Sequence, residues 1–241
     1  MTPRSRPPRG LFITLEGTEG CGKSTQAKLL GEHLRNQGYD TVETREPGGT
    51  PLAEKTRSLL LDRADEPVAP ETEAFLVLAA RRQHVAQVIE PALARGSIVL
   101  CDRFIDSTLA YQGYARGLDI ATLERLNRLA THALMPDLTL VFDLPVSTGL
   151  ARRRSAAELN RLDRESLRFH RSVRTGFLDL AKRHPTRIKV LSARASKETV
   201  ARAVARVVTP MLGHIRRGVD HNRPAASRPS PQKSQARHAI R

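Results

Sequence analysis

The sequence has little of what marks disulfide-bonded, secreted or membrane-spanning proteins. Its two cysteines, Cys21 and Cys101, form no metal-binding or disulfide pattern. No apolar run approaches the roughly 20 residues that a membrane helix needs. The apolar stretch after the basic N-terminus stops at Glu16, which is too short for the core of a secretory signal. We therefore expect a reducing, cytoplasmic setting and no membrane partner.

Basic residues are in excess, and most of the excess lies at the two ends. The formal net charge is +15 at pH 7. Residues 1–10 and 213–241 carry nine of these charges, so residues 11–212 are left with +6. Both end segments are basic, rich in proline and poor in apolar residues, and we expect them to be disordered tails around one folded domain. Such tails favour at most weak, salt-dependent binding to nucleic acid.

Short apolar runs alternate with longer helical patterns between residues 11 and 212. The predicted strands are 11–15, 41–44, 97–101, 138–143 and 188–191, and several are continuous apolar runs typical of strands buried on both faces. Helical periodicity covers 24–37, 52–61, 71–93, 120–132, 147–182 (with a break near its middle) and 197–208. This alternation predicts an α/β fold in which a parallel, doubly wound sheet lies between two layers of helices.

A phosphate-binding loop follows the first predicted strand. Residues 17–24 match the spacing G-x-x-x-x-G-K-[ST] between a strand and a helix. The predicted nucleotide-binding residues are Gly17, Thr18, Glu19, Gly20, Cys21, Gly22, Lys23, Ser24 and Thr25. In such loops the lysine reaches the β- and γ-phosphates and the serine hydroxyl binds Mg²⁺. The loop predicts binding of a nucleotide such as ATP and leaves the acceptor open.

Two further motifs lie at the carboxyl ends of predicted strands, where open α/β sheets bind ligands. Residues 45–50 read R-E-P-G-G-T, and residues 102–104 read D-R-F. Beside a P-loop, Asp102 would orient hydrated Mg²⁺, although an Asp there can also cap the next helical segment. Arg103 suits a second phosphate, because a guanidinium fork matches phosphate oxygens.

These motifs together resemble those of bacterial thymidylate kinases. T-R-E-P-G-G-T at 44–50, A-A-R at 79–81, D-R-F-x-x-S-T-x-A-Y-Q-G at 102–113 and the P-loop occur in that family's order and spacing, from about residue 11 to residue 208. The resemblance implies transfer of a phosphoryl group from ATP to dTMP, with Mg²⁺, giving dTDP and ADP. It also implies a three-layer P-loop NTPase fold with a five-stranded parallel sheet, and usually a homodimer.

The resemblance also implies roles for single residues, although surface salt bridges or core packing are alternatives for each. Arg81 and Arg103 would hold the dTMP phosphate. Thr108 would contact the thymine edge, while Tyr111 and Glu19 would contact the sugar. The residues implied to bind the acceptor are Glu19, Glu46, Arg81, Arg103, Ser107, Thr108, Tyr111 and Gln112, and those implied for the metal are Ser24, Asp102 and Glu46.

A catalytic arginine lies in the P-loop of some family members and in a mobile lid over ATP in others. This P-loop has no arginine, whereas residues 152–154 are three arginines and the segment 150–163 ends in Asn-Arg-Leu-Asp. We therefore expect the lid type, in which Arg152, Arg154 or Arg161 joins Lys23 and Arg103 in catalysis. A solvated basic helix face is the alternative.

Three positions depart from the family pattern. Val77 replaces the phenylalanine that stacks on thymine, and Phe75 lies about 200° away around the helix, so it cannot substitute. Asn160 replaces an aspartate, and residues 155–157 lack a glycine. Three alternatives to a dTMP kinase therefore remain: a kinase of another nucleoside monophosphate, an inactive kinase, and a P-loop protein that binds nucleic acid through its basic tail.

Overall fold

The computed structural model of the chain describes residues 9–62, 66–154 and 159–215. The predicted tails lie mostly outside these residues, as do 155–157 in the predicted lid. At both ends the described part reaches beyond the predicted 11–212 domain. The Gly10 N–H donates to the Leu93 carbonyl at 2.9 Å, and Ile215 is buried in an apolar cluster with the last helix. Within the described residues, no helix is long and apolar enough to cross a membrane.

Five parallel strands form one sheet in the order β2-β3-β1-β4-β5. They are β1 Phe12–Glu16, β2 Thr41–Arg45, β3 Ile98–Asp102, β4 Leu138–Asp143 and β5 Ile188–Ser192. The three central strands are almost wholly buried because helices cover both faces of the sheet. The predicted architecture is confirmed, and each predicted strand boundary lies within one residue of the observed one.

The helices surround this sheet, with several irregular turns between them. The α-helices are α1 Lys23–Asn36, α2 Pro51–Leu61, α3 Pro70–His84, α4 Glu90–Ala94, α5 Ile105–Thr108, α6 Ile120–Ala130, α7 Val146–Arg154, α8 Leu167–Arg183 and α9 Lys197–Val208. Short 3₁₀-helices span Leu162–Arg164 and Thr209–His214. The predicted break within 147–182 is the segment between α7 and α8, and α8 begins where Ser166 Oγ accepts the Phe169 N–H at 3.1 Å.

Two stretches of π-helix were not predicted. Val85–Ile89 joins α3 to α4 where a single helix was expected, and Leu109–Ala115 continues α5. Stretches of π-helix are often found at functional sites. The second one contains Tyr111 and Gln112, and together with α5 it contributes to the lining of the site described next.

Candidate active site

The P-loop leaves β1 after Glu16 and leads into α1. Gly17, Gly20 and Gly22 have φ angles of 138°, 68° and 95°, which suit residues without a Cβ. The Lys23 amine folds back over the loop, and its Nζ donates to the carbonyl oxygens of Gly17 and Thr18 at 3.1 and 2.9 Å. The start of a helix and an ammonium group therefore meet in one loop, which is the geometry that binds phosphate.

Ser24 and Asp102 bring two oxygen ligands together beside this loop. The Ser24 hydroxyl donates to Asp102 Oδ2 at 2.5 Å. Hydroxyl, carboxylate and water oxygens are the ligands that Mg²⁺ prefers when it bridges nucleotide phosphates, so both residues fit the predicted metal. In the described part of the chain, no group of three or more His, Cys, Asp or Glu side chains could hold a metal ion.

Glu46, the third residue predicted to bind the metal, has other partners. Its Oε2 accepts from Arg81 Nε at 2.7 Å, and its Oε1 lies 3.0 Å from His84 Nδ1. The side chain is 2% exposed. Glu46 is thus the buried counter-ion of Arg81. Its role as a metal ligand stays a prediction, because each carboxylate oxygen can accept more than one partner.

Two cavities meet at the P-loop. The first, of about 390 Å³, is lined by these predicted residues: Glu19, Lys23, Ser24, Glu46, Arg81, Asp102, Arg103, Ser107, Thr108, Tyr111, Gln112 and Arg161. The second, of about 810 Å³, is lined by P-loop residues including Cys21, Gly22 and Thr25, by Arg152, and by the segment around Ser196 at the start of α9. Gly20, Lys23 and Ser24 line both cavities. We call the first the acceptor cavity and the second the donor cavity.

Arg103 and Glu19 form a charged cluster with Tyr111 where the acceptor cavity meets the P-loop. Arg103 donates to Glu19 Oε1 at 2.9 Å and to the Gly17 carbonyl at 3.1 Å, and its guanidinium lies 4.9 Å from the centre of the Tyr111 ring. The Tyr111 hydroxyl contacts both Glu19 oxygens, at 2.8 and 2.6 Å. Arg103 has φ 73°, a strained value for a residue with a side chain. Such strain is typical of functional sites.

The same contacts set the charge states of the cluster. Burial by itself would raise the pKa of Glu19, but the charges of Arg103 and Lys23 and the Tyr111 hydroxyl bring that pKa below its usual value. Burial raises the pKa of Tyr111 well above its usual value. Burial opposes the charge on Arg103, yet Tyr111 and Glu19 raise the pKa of Arg103 overall. At neutral pH the cluster is an ion pair capped by a neutral phenol.

Arg81 and Thr108 form a second group of side chains that lines the acceptor cavity. Arg81 is 1% exposed, and its Nη1 donates to Thr108 Oγ1 at 2.8 Å. The guanidinium lies 5.1 Å from the centre of the Phe104 ring. Arg81 and Arg103 share the cavity but have different hydrogen-bond partners, so no common partner supports the prediction that both hold one phosphate.

Ser107 and Gln112, both predicted to bind the acceptor, also bond to protein groups. The Ser107 hydroxyl donates to Glu16 Oε2 at 2.6 Å, and Gln112 Nε2 donates to Glu73 Oε1 at 2.7 Å. Val77 lines the cavity, whereas Phe75 is 60% exposed. The expectation that Phe75 does not replace the missing stacking residue therefore agrees with the structure.

The predicted lid arginines lie in different places. Arg161 lines the acceptor cavity, where it donates to Glu73 Oε2 at 2.6 Å and to the Leu60 carbonyl at 2.9 Å. Arg152 lines the donor cavity, and Arg154 is exposed. The Asn160 side chain accepts the Asp163 N–H at 3.0 Å. The amide oxygen at this position therefore makes a hydrogen bond that an aspartate could also accept.

Three arginines that line the acceptor cavity, Arg45, Arg57 and Arg153, were not among the residues predicted for the site. Arg153 lines both cavities and binds Asp163, with its Nη2 2.8 Å from Oδ2. Arg57 of α2 lines the acceptor cavity and donates to the Pro47 carbonyl at 3.0 Å. Burial and the neighbouring charge of Arg45 lower the pKa of Arg57. The only sequence signal for Arg57 was its short distance from the R-E-P-G-G-T motif.

Glu16 lies at the end of β1 and contacts the residue before α5. Its carboxyl accepts the Phe104 N–H at 2.7 Å and so fixes the start of α5. Burial, followed by the neighbouring charge of Asp106, raises the pKa of Glu16 to about 8. Asp106 is itself bound by the Arg187 guanidinium through two hydrogen bonds of 2.7 and 2.8 Å.

Comparison with known proteins agrees with this geometry. The family model for thymidylate kinase matches residues 15–204. A thymidylate kinase of Pseudomonas putida (strain W619) is 52% identical over 206 residues, covering 86% of this chain and 100% of that protein. One from Thermomicrobium roseum is 55% identical over 207 residues, covering 86% and 98%. A crystal structure of thymidylate kinase from Ehrlichia chaffeensis has a TM-score of 0.69 at 37% identity and covers 84% of this chain and 99% of that one. The chain therefore belongs to the thymidylate kinase family, whose members phosphorylate dTMP to dTDP with ATP as the phosphate donor.

Proposed function

We propose that this chain transfers the γ-phosphoryl group of ATP to the phosphate of dTMP in a Mg²⁺-dependent reaction in the cytoplasm. The observation that carries the proposal is the position of Lys23 and Ser24, which line both the donor and the acceptor cavity. Two substrates bound in these cavities meet at the P-loop, where their phosphates can react directly.

ATP occupies the donor cavity in this proposal. Its phosphates lie against the P-loop N–H groups and Lys23, and its base lies against the segment 193–200. Ser24 and Asp102 would hold Mg²⁺, which would supply positive charge to neutralise the phosphoryl group in transfer.

The acceptor nucleotide occupies the other cavity. Arg103 and Arg57, which both line this cavity, hold its phosphate. Tyr111 and Glu19 meet the sugar, and Arg81 with Thr108 meets the base. The phosphate of dTMP is already a nucleophile, so the reaction needs no general base and depends on positioning and charge neutralisation.

Arg153 is the proposed lid arginine that contacts the phosphoryl group in transfer. It lines both cavities, and Asp163 holds it in place. Arg152 lines the donor cavity and Arg161 lines the acceptor cavity, so neither is assigned this role. An arginine over the reacting phosphates stabilises the developing charge, and a closed lid keeps out water that would hydrolyse ATP.

We also propose that the enzyme is a homodimer. Four exposed apolar side chains lie on α2, α3 and α6: Leu52, Leu59, Phe75 and Leu129, which are 56%, 68%, 60% and 73% exposed. α3 packs against both α2 and α6. A second copy of the chain would cover this apolar surface. Light scattering measures the molar mass in solution and so tests the proposal. We expect the wild type to be a dimer and Leu129→Glu to be a monomer. A monomeric wild type would contradict the proposal.

A kinase of another monophosphate is the second candidate, because Val77 lies where an aromatic ring would stack on thymine. The test is a coupled assay of ADP release with ATP, Mg²⁺ and each of dTMP, dUMP, UMP, dCMP, dGMP and dAMP. We expect a strong preference for dTMP and no turnover with EDTA present. Preference for a different monophosphate would keep the fold and overturn the substrate. Absence of turnover with every acceptor would favour an inactive kinase.

A further inference from the structure

His170 is a buried histidine of α8 that the proposed mechanism has not used. The side chain is 0% exposed, and neither ring nitrogen has a hydrogen-bond partner. The ring packs edge-on against Phe169, with the ring centres 5.6 Å apart. A buried polar group without a partner is rare in folded proteins and calls for an explanation. An aromatic hydrocarbon side chain at this position would fill space without that cost.

The carboxylate of Glu19 lies beside this histidine. Nδ1 of His170 is 3.7 Å from Glu19 Oε2, which is slightly too far for a hydrogen bond. A shift of about 1 Å in either side chain would bring the two atoms to a normal hydrogen-bond distance. His170 therefore lies next to the charged cluster of Arg103, Glu19 and Tyr111, on the side where α8 lies.

The present partners of Glu19 are the residues that an acceptor nucleotide would engage. Arg103 and Tyr111 both bond to the Glu19 carboxylate. When the acceptor phosphate attracts the Arg103 guanidinium, Glu19 loses part of its charge compensation inside a largely buried site. A carboxylate in such surroundings needs a replacement donor if it is to keep its orientation.

We propose that His170 is a positioning residue that donates its Nδ1–H to Glu19 when the acceptor nucleotide binds. The hydrogen bond holds Glu19 so that its free oxygen accepts the sugar hydroxyl, which in dTMP is the 3′-hydroxyl. This inference rests on the proposed function, because it assigns Glu19 to the sugar of dTMP. It gives α8 a role in acceptor binding that none of the sequence motifs indicated.

Two substitutions of His170 separate this role from packing. His170→Phe removes the donor, whereas His170→Asn keeps an N–H close to the position of Nδ1. We expect His170→Phe to raise KM for dTMP about 10-fold or more and to leave KM for ATP unchanged, since a hydrogen bond to a charged group is lost. His170→Asn should remain within about 3-fold of the wild type. Val173→Ala, a buried packing change in the same helix, should lower Tm without a selective effect on dTMP.

The decisive comparison uses 3′-deoxy-dTMP, which lacks the sugar hydroxyl, as a second acceptor. If His170 acts through Glu19 on this hydroxyl, the ratio of wild-type to His170→Phe kcat/KM is large for dTMP and close to one for the 3′-deoxy analogue. Equal ratios for the two acceptors, or equal effects of the Phe and Asn variants, would overturn the inference. Wild-type turnover of dTMP is measured first, and its absence would instead reject the proposed function and this inference with it.

Discussion

Gly20 of the P-loop and Gly149 of α7 approach each other backbone to backbone. A Cβ on Gly20 would stand 2.0 Å from the Gly149 carbonyl oxygen, and a Cβ on Gly149 would stand 2.3 Å from the Glu19 carbonyl oxygen. α7 also carries Arg153, which lines both cavities. The phosphate loop and the helix that leads into the lid are therefore in direct contact.

Gly149→Ala should push this helix away from the P-loop. Overpacking of this kind costs about 1–3 kcal/mol, so we expect a lower Tm and a higher KM for ATP. Gly213→Ala is the matched control, because a Cβ there meets nothing within 4 Å. Thermal unfolding and initial-rate kinetics measure both effects. A Gly149→Ala variant that behaves like the control would contradict the close contact.

Alanine substitutions along the lid should identify the catalytic arginine. Arg153→Ala should lower kcat by about 10²–10³, because it removes a donor from the developing charge. Arg154→Ala, an exposed neighbour, should change kcat by less than about 3-fold. Steady-state rates at saturating ATP and dTMP measure these values. A larger loss in Arg152→Ala, Arg154→Ala or Arg161→Ala than in Arg153→Ala would reject the assignment.

Glu16 should make the stability of the protein depend on pH. Its pKa rises from 4.5 to about 8 on folding, so between these values the folded state binds a proton that the unfolded state has lost. The stabilising effect is complete below pH 4.5 and is lost as pH rises towards 8. Glu16→Gln, which resembles the protonated carboxyl, should lack this loss. Denaturant unfolding from pH 5 to pH 9 checks the difference, and parallel curves for the two proteins would contradict it.

Val77→Phe should restore an aromatic surface in the acceptor cavity. Stacking of a base on an aromatic ring contributes about 1–3 kcal/mol, and we expect a lower KM for dTMP with little change in KM for ATP. Phe75→Val is the control, because Phe75 is 60% exposed in the same helix. Initial rates over a range of dTMP concentrations provide the measurement. An unchanged or higher KM for dTMP in Val77→Phe would mean that the cavity has no room for a stacked ring beside the base.

The sheet could be predicted from the sequence because its buried strands are short apolar runs separated by helical patterns. β4 was predicted over the observed residues, 138–143. The π-helix Leu109–Ala115 could not be predicted in this way. Its first five residues are all buried, so it has no polar face and no helical periodicity of apolar residues. In the sequence this segment could be recognised only by the motif D-R-F-x-x-S-T-x-A-Y-Q-G at 102–113.

The candidate site was predictable where its residues follow strand ends. Asp102 is the last residue of β3 and Arg103 follows it, and both line the acceptor cavity. Three other features depend on tertiary contacts. Which of three successive arginines lines both cavities depends on how α7 is rotated. The role of Glu46 depends on its ion pair with Arg81. The position of His170 beside Glu19 depends on how α8 packs. No local pattern encodes such contacts.

Identifying the reaction products tests directly whether this chain phosphorylates dTMP. Purified protein is incubated with ATP, Mg²⁺ and dTMP, and the nucleotides are separated by anion-exchange chromatography. We expect dTDP and ADP to appear in equal amounts, and we expect Arg103→Ala, which lacks a cation proposed to hold the acceptor phosphate, to form dTDP far more slowly. ADP without dTDP, or dTDP formation by Arg103→Ala at the wild-type rate, would contradict it.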